Sequence, residues 1–328
     1  MAPFDESYPL SESTMTPLVS FVMPVLNGQE YLSRSLLSIR HLECEGISYE
    51  VLILDNGSTD QTLSIIHSLG YVCEVLPKIK VSALRNRGVD KAHGQYLAFV
   101  DSDVEVSPAW LRNGLVSFRD PSVVAAGCFP RVPQDATWVQ RTWDLHQRGR
   151  TQSQEPFPVP WLSSMNLIVR REAFLAVAGF NESLTTAEDV DLCYRLGRIG
   201  TILNNPAMEA VHWGEAKTVG HFLRKEVWRG KGTSAGVLAH GLRWDELPSL
   251  LYPLYIAGAL LGLVVAFVAD VSYRQFVLTL VVLGLLVLPV GILAILTGIR
   301  AGHLRAVPQL FVLYFTYGLA RAYSLFKA

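Results

Sequence analysis

Between residues 18 and about 203 the chain alternates short apolar runs with segments of helical periodicity, and these predict strands and helices in turn. Runs at 19–23, 51–54, 72–76 and 96–100 read as strands, with helices at 30–40, 60–69 and 82–91 between them. That order predicts an α/β sheet covered on both faces. Ser58-Thr59-Asp60-Gln61 matches a capping box at the start of the second helix. Further on, 129–133 and 155–160 are rich in proline, and 137–150, with Trp138 and Trp143, reads as a helix.

The pattern changes at Leu250. Two apolar runs, 250–269 and 276–297, are separated by Asp270 and Arg274, and each is long enough to cross a bilayer. A third run, 307–325, carries Tyr314, Tyr317, Arg321 and Tyr323, which suits either a spanning helix or one lying in the interface. Composition agrees: 50% of the 328 residues are hydrophobic and the mean hydropathy is +0.28, high for a purely soluble protein. Residues 1–17 are polar, with no apolar core of a secretory signal, so the first part is expected in the cytosol. Arg300, His303 and Arg305 follow the second run while only Arg274 lies between the two, and this bias puts the later turn on the cytosolic side of a multi-pass cell-membrane protein. The expected division is a polar tail at 1–17, an α/β domain at 18–245 and a membrane domain at 246–328.

Net charge is −1, with 23 basic and 28 acidic residues ahead of Leu250, so no nucleic-acid footprint is present. Cys44, Cys73, Cys128 and Cys193 form no C-x-x-C pair, which argues for reduced thiols and against a zinc site or disulfide frame. Almost no charge lies within the apolar runs, which disfavours a transporter.

In open α/β sheets, ligands bind beyond the carboxyl ends of strands. Three predicted strand ends carry polar groups: 24–27, Asp55-Asn56-Gly57 and Asp101-Ser102-Asp103. There is no G-x-x-x-x-G-K-[ST] and no G-x-G-x-x-G, so a metal rather than a glycine loop is expected to hold phosphate. Alternate side chains of an extended strand point the same way, so Asp101 and Asp103 can converge on one Mg²⁺ or Mn²⁺. The competing readings are a solvated acidic turn before Pro108, and an Asx-type turn for Asp55.

Four pieces in this order resemble family 2 glycosyltransferases of the GT-A fold in their membrane-attached bacterial form. They are residues 19–27, Leu54-Asp55-Asn56-Gly57-Ser58-Thr59-Asp60-Gln61-Thr62, Leu84-Arg85-Asn86-Arg87-Gly88 leading to Asp101-Ser102-Asp103, and Ala187-Glu188-Asp189-Val190-Asp191-Leu192. The resemblance implies a mixed, mostly parallel sheet followed by two or three membrane helices, and a nucleotide-diphosphate sugar as donor. It places Asp55 against the base, with Pro24, Asn27, Asn56, Arg85, Asn86, Asp101 and Ser102 around the donor, and Asp103 on the cation.

In the same resemblance Asp189 is the general base that takes the acceptor hydroxyl's proton, and Glu188 positions it. A second reading makes Thr185 and Glu188 another capping box, and Asp191 a helical ion-pair partner of Arg195. His212 is a candidate to complete the metal shell or, equally, a packed histidine. The basic helix at 222–231, with Arg224, Lys225, Arg229 and Lys231, suits donor or lipid phosphate, and a solvated face near anionic headgroups is preferred for most of these side chains. The chain lacks Q-x-x-R-W, which favours single-sugar transfer over polymer extrusion.

The expected protein is an inverting, metal-dependent glycosyltransferase serving glycolipid, exopolysaccharide or cell-envelope glycan synthesis. Its acceptor is a lipid-linked sugar or polyprenyl phosphate. A non-catalytic nucleotide-binding membrane scaffold is the alternative.

Overall fold

The computed structural model describes residues 18–148, 153–240, 247–273 and 276–325. The expected tail at 1–17, the end of the helix expected at 137–150, the junction around 245 and Arg274 lie outside the described residues. The chain begins β1 (Val19–Val25), α1 (Leu32–Arg40), β2 (Tyr49–Asp55), α2 (Thr62–Ser68), β3 (Cys73–Val75), α3 (Val81–Lys91) and β4 (Tyr96–Val100). It continues through β5 (Val104–Val106), α4 (Trp110–Ser117), β6 (Val123–Gly127), α5 (Trp138–Arg148), β7 (Phe157–Pro158), β8 (Asn166–Arg170) and α6 (Arg171–Ala176). After α7 (Glu188–Leu196), β9 (Thr201–Asn204) and β10 (Ala210–His212) come the long helices α8 (Val219–His240), α9 (Leu247–Tyr273), α10 (Val277–Arg300) and α11 (Val307–Leu325).

Among the described residues the main sheet has eight strands in the order β3-β2-β1-β4-β8-β6-β9-β7. Its first four are parallel, β8 runs antiparallel to both β4 and β6, and β9 returns parallel to β6. The period of two explains the layers. Phe21 and Met23 of β1 point to a core with Leu36, Ile39, Ile53 and Trp110, while Val22 points to one with Leu84, Phe99, Phe174 and Leu192. Each such side chain removed from water contributes about 1.5–3 kcal/mol. Gly88 lets α3 lie close on β1, since a Cβ there would stand 2.5 Å from Val22 Cγ1.

Two expected helix starts differ. Ser58 does not cap α2: its hydroxyl bonds the Asp55 carboxylate, and Asp60 Oδ1 accepts from Thr62 N at 3.0 Å instead. The residue before α7 is Ala187, at φ 64°, and no side chain caps that helix. The strand expected at 72–76 shrinks to the three-residue edge strand β3, whose Val75 is exposed.

Among the described residues two helices, α9 and α10, are long and apolar enough to cross a bilayer. They pair as a hairpin, and Asp270, fully buried near the end of α9, accepts from Leu278 N at 3.3 Å and Thr279 N at 2.7 Å to close the first turn of α10. The third apolar run, α11, has a different character. It packs along α8, where Ser324 sits against Gly230 and Arg321 pairs with Glu226 at 2.9 Å. Val139, Trp143, Ala216 and Phe222 share one core with α9, α10 and α11, so the expected boundary at 245/246 divides a single hydrophobic cluster.

Candidate active site

The loops after β1 and β2 are stitched together. Asn56 N donates to Val25 O at 2.8 Å, Asn27 N to Ser58 Oγ at 2.8 Å, and Thr59 N to Asn27 Oδ1 at 2.9 Å. Asn27 takes φ 51°, which asparagine tolerates better than most residues. Pro24 lies buried within β1. Asp55 is fully buried and accepts from Gly57 N and Ser58 N, both at 2.9 Å, and from the Ser58 hydroxyl. It therefore forms the Asx-type turn. Its carboxylate shapes the loop. Asn56 is likewise engaged, bonding both the carbonyl and the N–H of Ile79.

Arg85 is buried in an ion-pair bridge. Only 3% exposed, it donates from Nη2 to Asp101 Oδ1 at 2.7 Å and from Nη1 to Glu188 Oε1 at 3.0 Å, with the Phe180 ring 5.5 Å from its guanidinium carbon. It thus bridges the end of β4 to the start of α7. Asn86, one residue on, faces the 180–182 loop: Phe180 N donates to its Oδ1 at 2.9 Å, and its Nδ2 reaches Phe180 O and Glu182.

Asp101 and Asp103 do not act as a pair on one side of an extended strand. β4 ends at Val100, and a turn closed by Val104 N to Asp101 O at 3.1 Å follows. Asp101 is drawn to Arg85, whereas Asp103 Oδ2 lies 3.3 Å from His212 Nε2. The small antiparallel sheet causes this second contact, because β10 pairs with β5 in a register that sets His212 opposite Val104. Trp213 N then donates to Asp103 O at 2.9 Å. Ser102, between the two acids, accepts from the Ser35 hydroxyl at its carbonyl and turns its own hydroxyl toward Gly28. Burial would raise the Asp103 carboxyl, but the imidazole beside it and Lys225 hold it below the usual range.

Behind His212 stands Glu215, which the sequence reading did not single out. Its Oε2 is 3.6 Å from His212 Nδ1, and Lys225 and Arg229 of α8 reach the same carboxylate at 3.1 and 3.6 Å. Against the effect of burial, these cations hold Glu215 far below the ordinary carboxylate range. Two members of the basic helix therefore face inward, while Arg224 and Lys231 are exposed. An acid three residues after His212, with basic residues a few turns later, was the available signal. Carboxylate–histidine pairs of this kind orient a metal-binding imidazole.

Among the described residues no three His, Cys, Asp or Glu side chains gather closely enough to form a metal cage. The Asp103–His212 pair nevertheless fits Mg²⁺ or Mn²⁺. It offers one hard oxygen and one imidazole, Asp103 keeps 34% of its side chain exposed, and His212 is oriented from behind.

The opposing side of the site is the acid pair that begins α7. Asp189 Oδ1 accepts from Val190 N at 2.9 Å, and the Ser163 hydroxyl donates to the same carboxylate. Burial raises the Asp189 carboxyl above its ordinary value, with Arg85 opposing. Glu188 is raised by burial and by the charge of Asp189, again against Arg85. A raised carboxylate is a stronger proton acceptor when ionised. Rather than capping the helix, Glu188 reaches across to Arg85. Asp191 pairs with Arg195 one turn later at 2.6 Å, as the spacing predicts.

The site now has a family context. A family model for glycosyl transferase family 2 matches residues 20–177, a span that holds Asp55, Arg85, Asp101 and Asp103 and stops short of Glu188. The chain is 28% identical over 216 residues to validoxylamine A glucosyltransferase of Streptomyces hygroscopicus subsp. limoneus, an alignment covering 55% of this chain and 48% of that protein. It is 28% identical over 256 residues to the pre-mycofactocin glycosyltransferase of Mycobacterium tuberculosis, covering 74% of this chain and 51% of the other. The chain thus spans about half the length of these two curated relatives. Among solved structures, the mannosyltransferase PcManGT from Pyrobaculum calidifontis, in complex with GDP-Man and Mn²⁺, superposes with a TM-score of 0.62. That match covers 92% of this chain and 86% of the other at 16% identity, and it shares the fold.

Proposed function

Residues 20–177 match the model of glycosyl transferase family 2, and from this premise we propose that the chain moves one sugar, with inversion, from a nucleotide-diphosphate donor to a lipid-linked acceptor at the cytosolic membrane face. The observation that carries the reading is Arg85. It ties the strand-end crevice to the buried acid pair Glu188-Asp189, so a donor beyond the strands and a base at α7 belong to one site. PcManGT, which shares the fold, was solved with GDP-Man and Mn²⁺, and this supports a nucleotide sugar and a divalent cation here.

In this reading Asp103 and His212 hold Mg²⁺ or Mn²⁺, with Glu215 orienting the imidazole. The cation supplies charge stabilisation for a departing diphosphate. Asp189 accepts the acceptor hydroxyl's proton as that oxygen bonds the anomeric carbon, and the bond to the donor phosphate breaks on the opposite face. Glu188, fixed by Arg85, positions the acceptor side of the base.

In the same reading α9 and α10, long and apolar enough to do so, cross the bilayer. The hairpin returns toward the catalytic domain, since the turn at 302–306 lies against α5. The basic residues Arg300, His303 and Arg305 therefore share the domain's side, which supports a cytosolic orientation.

Asp189→Asn tests the assignment. Turnover is expected to fall about 10²–10⁴-fold, while calorimetry with UDP-, GDP- and dTDP-sugars plus Mn²⁺ finds donor binding unchanged. Retained turnover removes Asp189 as the base; absence of any donor binding by the unaltered protein removes the glycosyltransferase reading.

A further inference from the structure

A cavity lies between α5 and the connection from α10 to α11, lined by none of the residues of the candidate active site. Its volume is about 550 Å³. Trp138, Arg141 and Thr142 form one face, at helical spacing, and His303, Arg305 and Gln309 stand opposite. No carboxylate lines it. Among the described residues no ion pair engages Arg141 or Arg305, and both are exposed. His303 is oriented through Nδ1, 2.8 Å from Ala301 O.

This charge state contrasts with the basic groups on α8. There Lys225 and Arg229 are neutralised by Glu215 and Glu226. Two guanidinium groups left without acids around a concavity create a local positive potential that suits an anion from outside. The first turn of α11 adds the positive end of its dipole at the same place. Arginine forks match phosphate oxygens in particular.

Location identifies the source of the phosphate. The turn joins the end of α10, one of the two helices long and apolar enough to span. Leu304, 61% exposed, lines the cavity beside the cations, and Trp138, 44% exposed, has the amphipathic ring common at the membrane boundary. We propose that the cleft between α5 and the α10–α11 turn binds the phosphate headgroup of a bilayer lipid, with Leu304 meeting its chains. The proposal rests on the membrane placement of α9 and α10 given above and is independent of the sugar-transfer chemistry. Occupancy has a route to the site, because α5 also braces the segment after His212. Gln140 Nε2 donates to Glu215 O at 3.2 Å and Thr137 Oγ1 to Lys217 O at 2.8 Å.

The test uses the full chain in an uncharged maltoside detergent, with dodecyl phosphate as probe. Binding is followed by calorimetry and by tryptophan fluorescence, with Trp138→Phe assigning the optical signal. Saturable binding is expected, weakened at least about tenfold in the double variant Arg141→Gln, Arg305→Gln. Inorganic phosphate and dodecylphosphocholine are each expected to bind at least about tenfold more weakly than dodecyl phosphate. Equal affinity of the double variant and the unaltered protein overturns the site. Inorganic phosphate binding as tightly as dodecyl phosphate overturns the lipid assignment in favour of a free anion, and a chain that stays soluble without detergent overturns the membrane premise. Mn²⁺-dependent donor binding, measured in parallel, should be unchanged in the double variant. If the unaltered protein binds dodecyl phosphate but no donor, the glycosyltransferase reading fails and this one stands.

Discussion

A methyl group at Gly214 would sit 1.8 Å from Asp103 Oδ2, so the peptide that carries Trp213 N to Asp103 O leaves no room for a side chain beside the proposed metal pair. Gly214→Ala should displace the Asp103 carboxylate from its present contact with His212. We expect Mn²⁺ affinity, read by electron paramagnetic resonance with a nucleoside diphosphate present, to fall about 10–100-fold, the range seen when ligand orientation is lost. Unchanged affinity would place the cation elsewhere. Arg85 gives a prediction of opposite character, because its charge acts on the base. With Asp189 as the proposed base, which works only when ionised, kcat/KM should rise with pH through its pKa, and burial raises that pKa above the ordinary aspartate range. Arg85 opposes the shift, so Arg85→Gln should move the acid limb to still higher pH. A limb that stays in place would mean that the limb reports another group.

At the scale of elements, α8 connects the site to the apolar helices. From His212 the charges alternate through Glu215, Arg229 and Glu226 to Arg321 on α11. Glu226 is 1% exposed and Arg321 15%, so removing one partner leaves a nearly buried charge. Glu226→Gln should cost about 2–4 kcal/mol, short of the full penalty for a buried pair because Arg229 retains some contact with water. The loss should appear as a lower unfolding midpoint in detergent, and Arg321→Lys should lower it less. A midpoint unchanged by either substitution would make the chain of charges incidental. This network also marks what the sequence could and could not reveal. β5, only Val104–Val106 with Glu105 inside it, was too short to stand out, whereas β2 and β4 were legible because each contains an uninterrupted apolar run. Partners of polar side chains were not: Arg85 meets Asp101 16 positions away and Glu188 103 positions away. Ser58 looked like a helix cap because sequence spacing could not show that the Asp55 carboxylate, buried three residues earlier, binds its hydroxyl first. Lys225 and Arg229 looked solvated because their acid belongs to the turn after β10. Asp191 and Arg195 were read correctly since both lie on one helix, where spacing alone fixes the contact.

For the whole molecule, the question is whether the α/β domain can stand without its apolar helices. Trp143 and Phe222 meet edge to face at 4.7 Å, and Trp143 also stacks on Tyr317 of α11 at 5.9 Å. Both Trp143 and Phe222 are buried, and the rest of their cluster includes Ile256, Val290, Leu310 and Leu313. A chain truncated after residue 245 would expose these rings, each carrying about 150–250 Å² of surface. At about 1.5–3 kcal/mol per buried side chain, losing both takes away a large part of the roughly 5–15 kcal/mol that keeps a domain folded. Size-exclusion chromatography without detergent should find the truncated chain aggregated, whereas the full chain in detergent elutes as one species. The effect should also reach the site. Ala216 belongs to the same cluster and its N–H donates to Glu215 at 3.1 Å, so loosening that core frees the carboxylate that orients His212. Truncated protein kept soluble by detergent should therefore bind Mn²⁺ more weakly than the full chain even though Asp103, His212 and Glu215 are all present. Equal affinity in the two would mean that the domain holds its metal pair unaided and that the apolar helices serve only to keep it at the membrane.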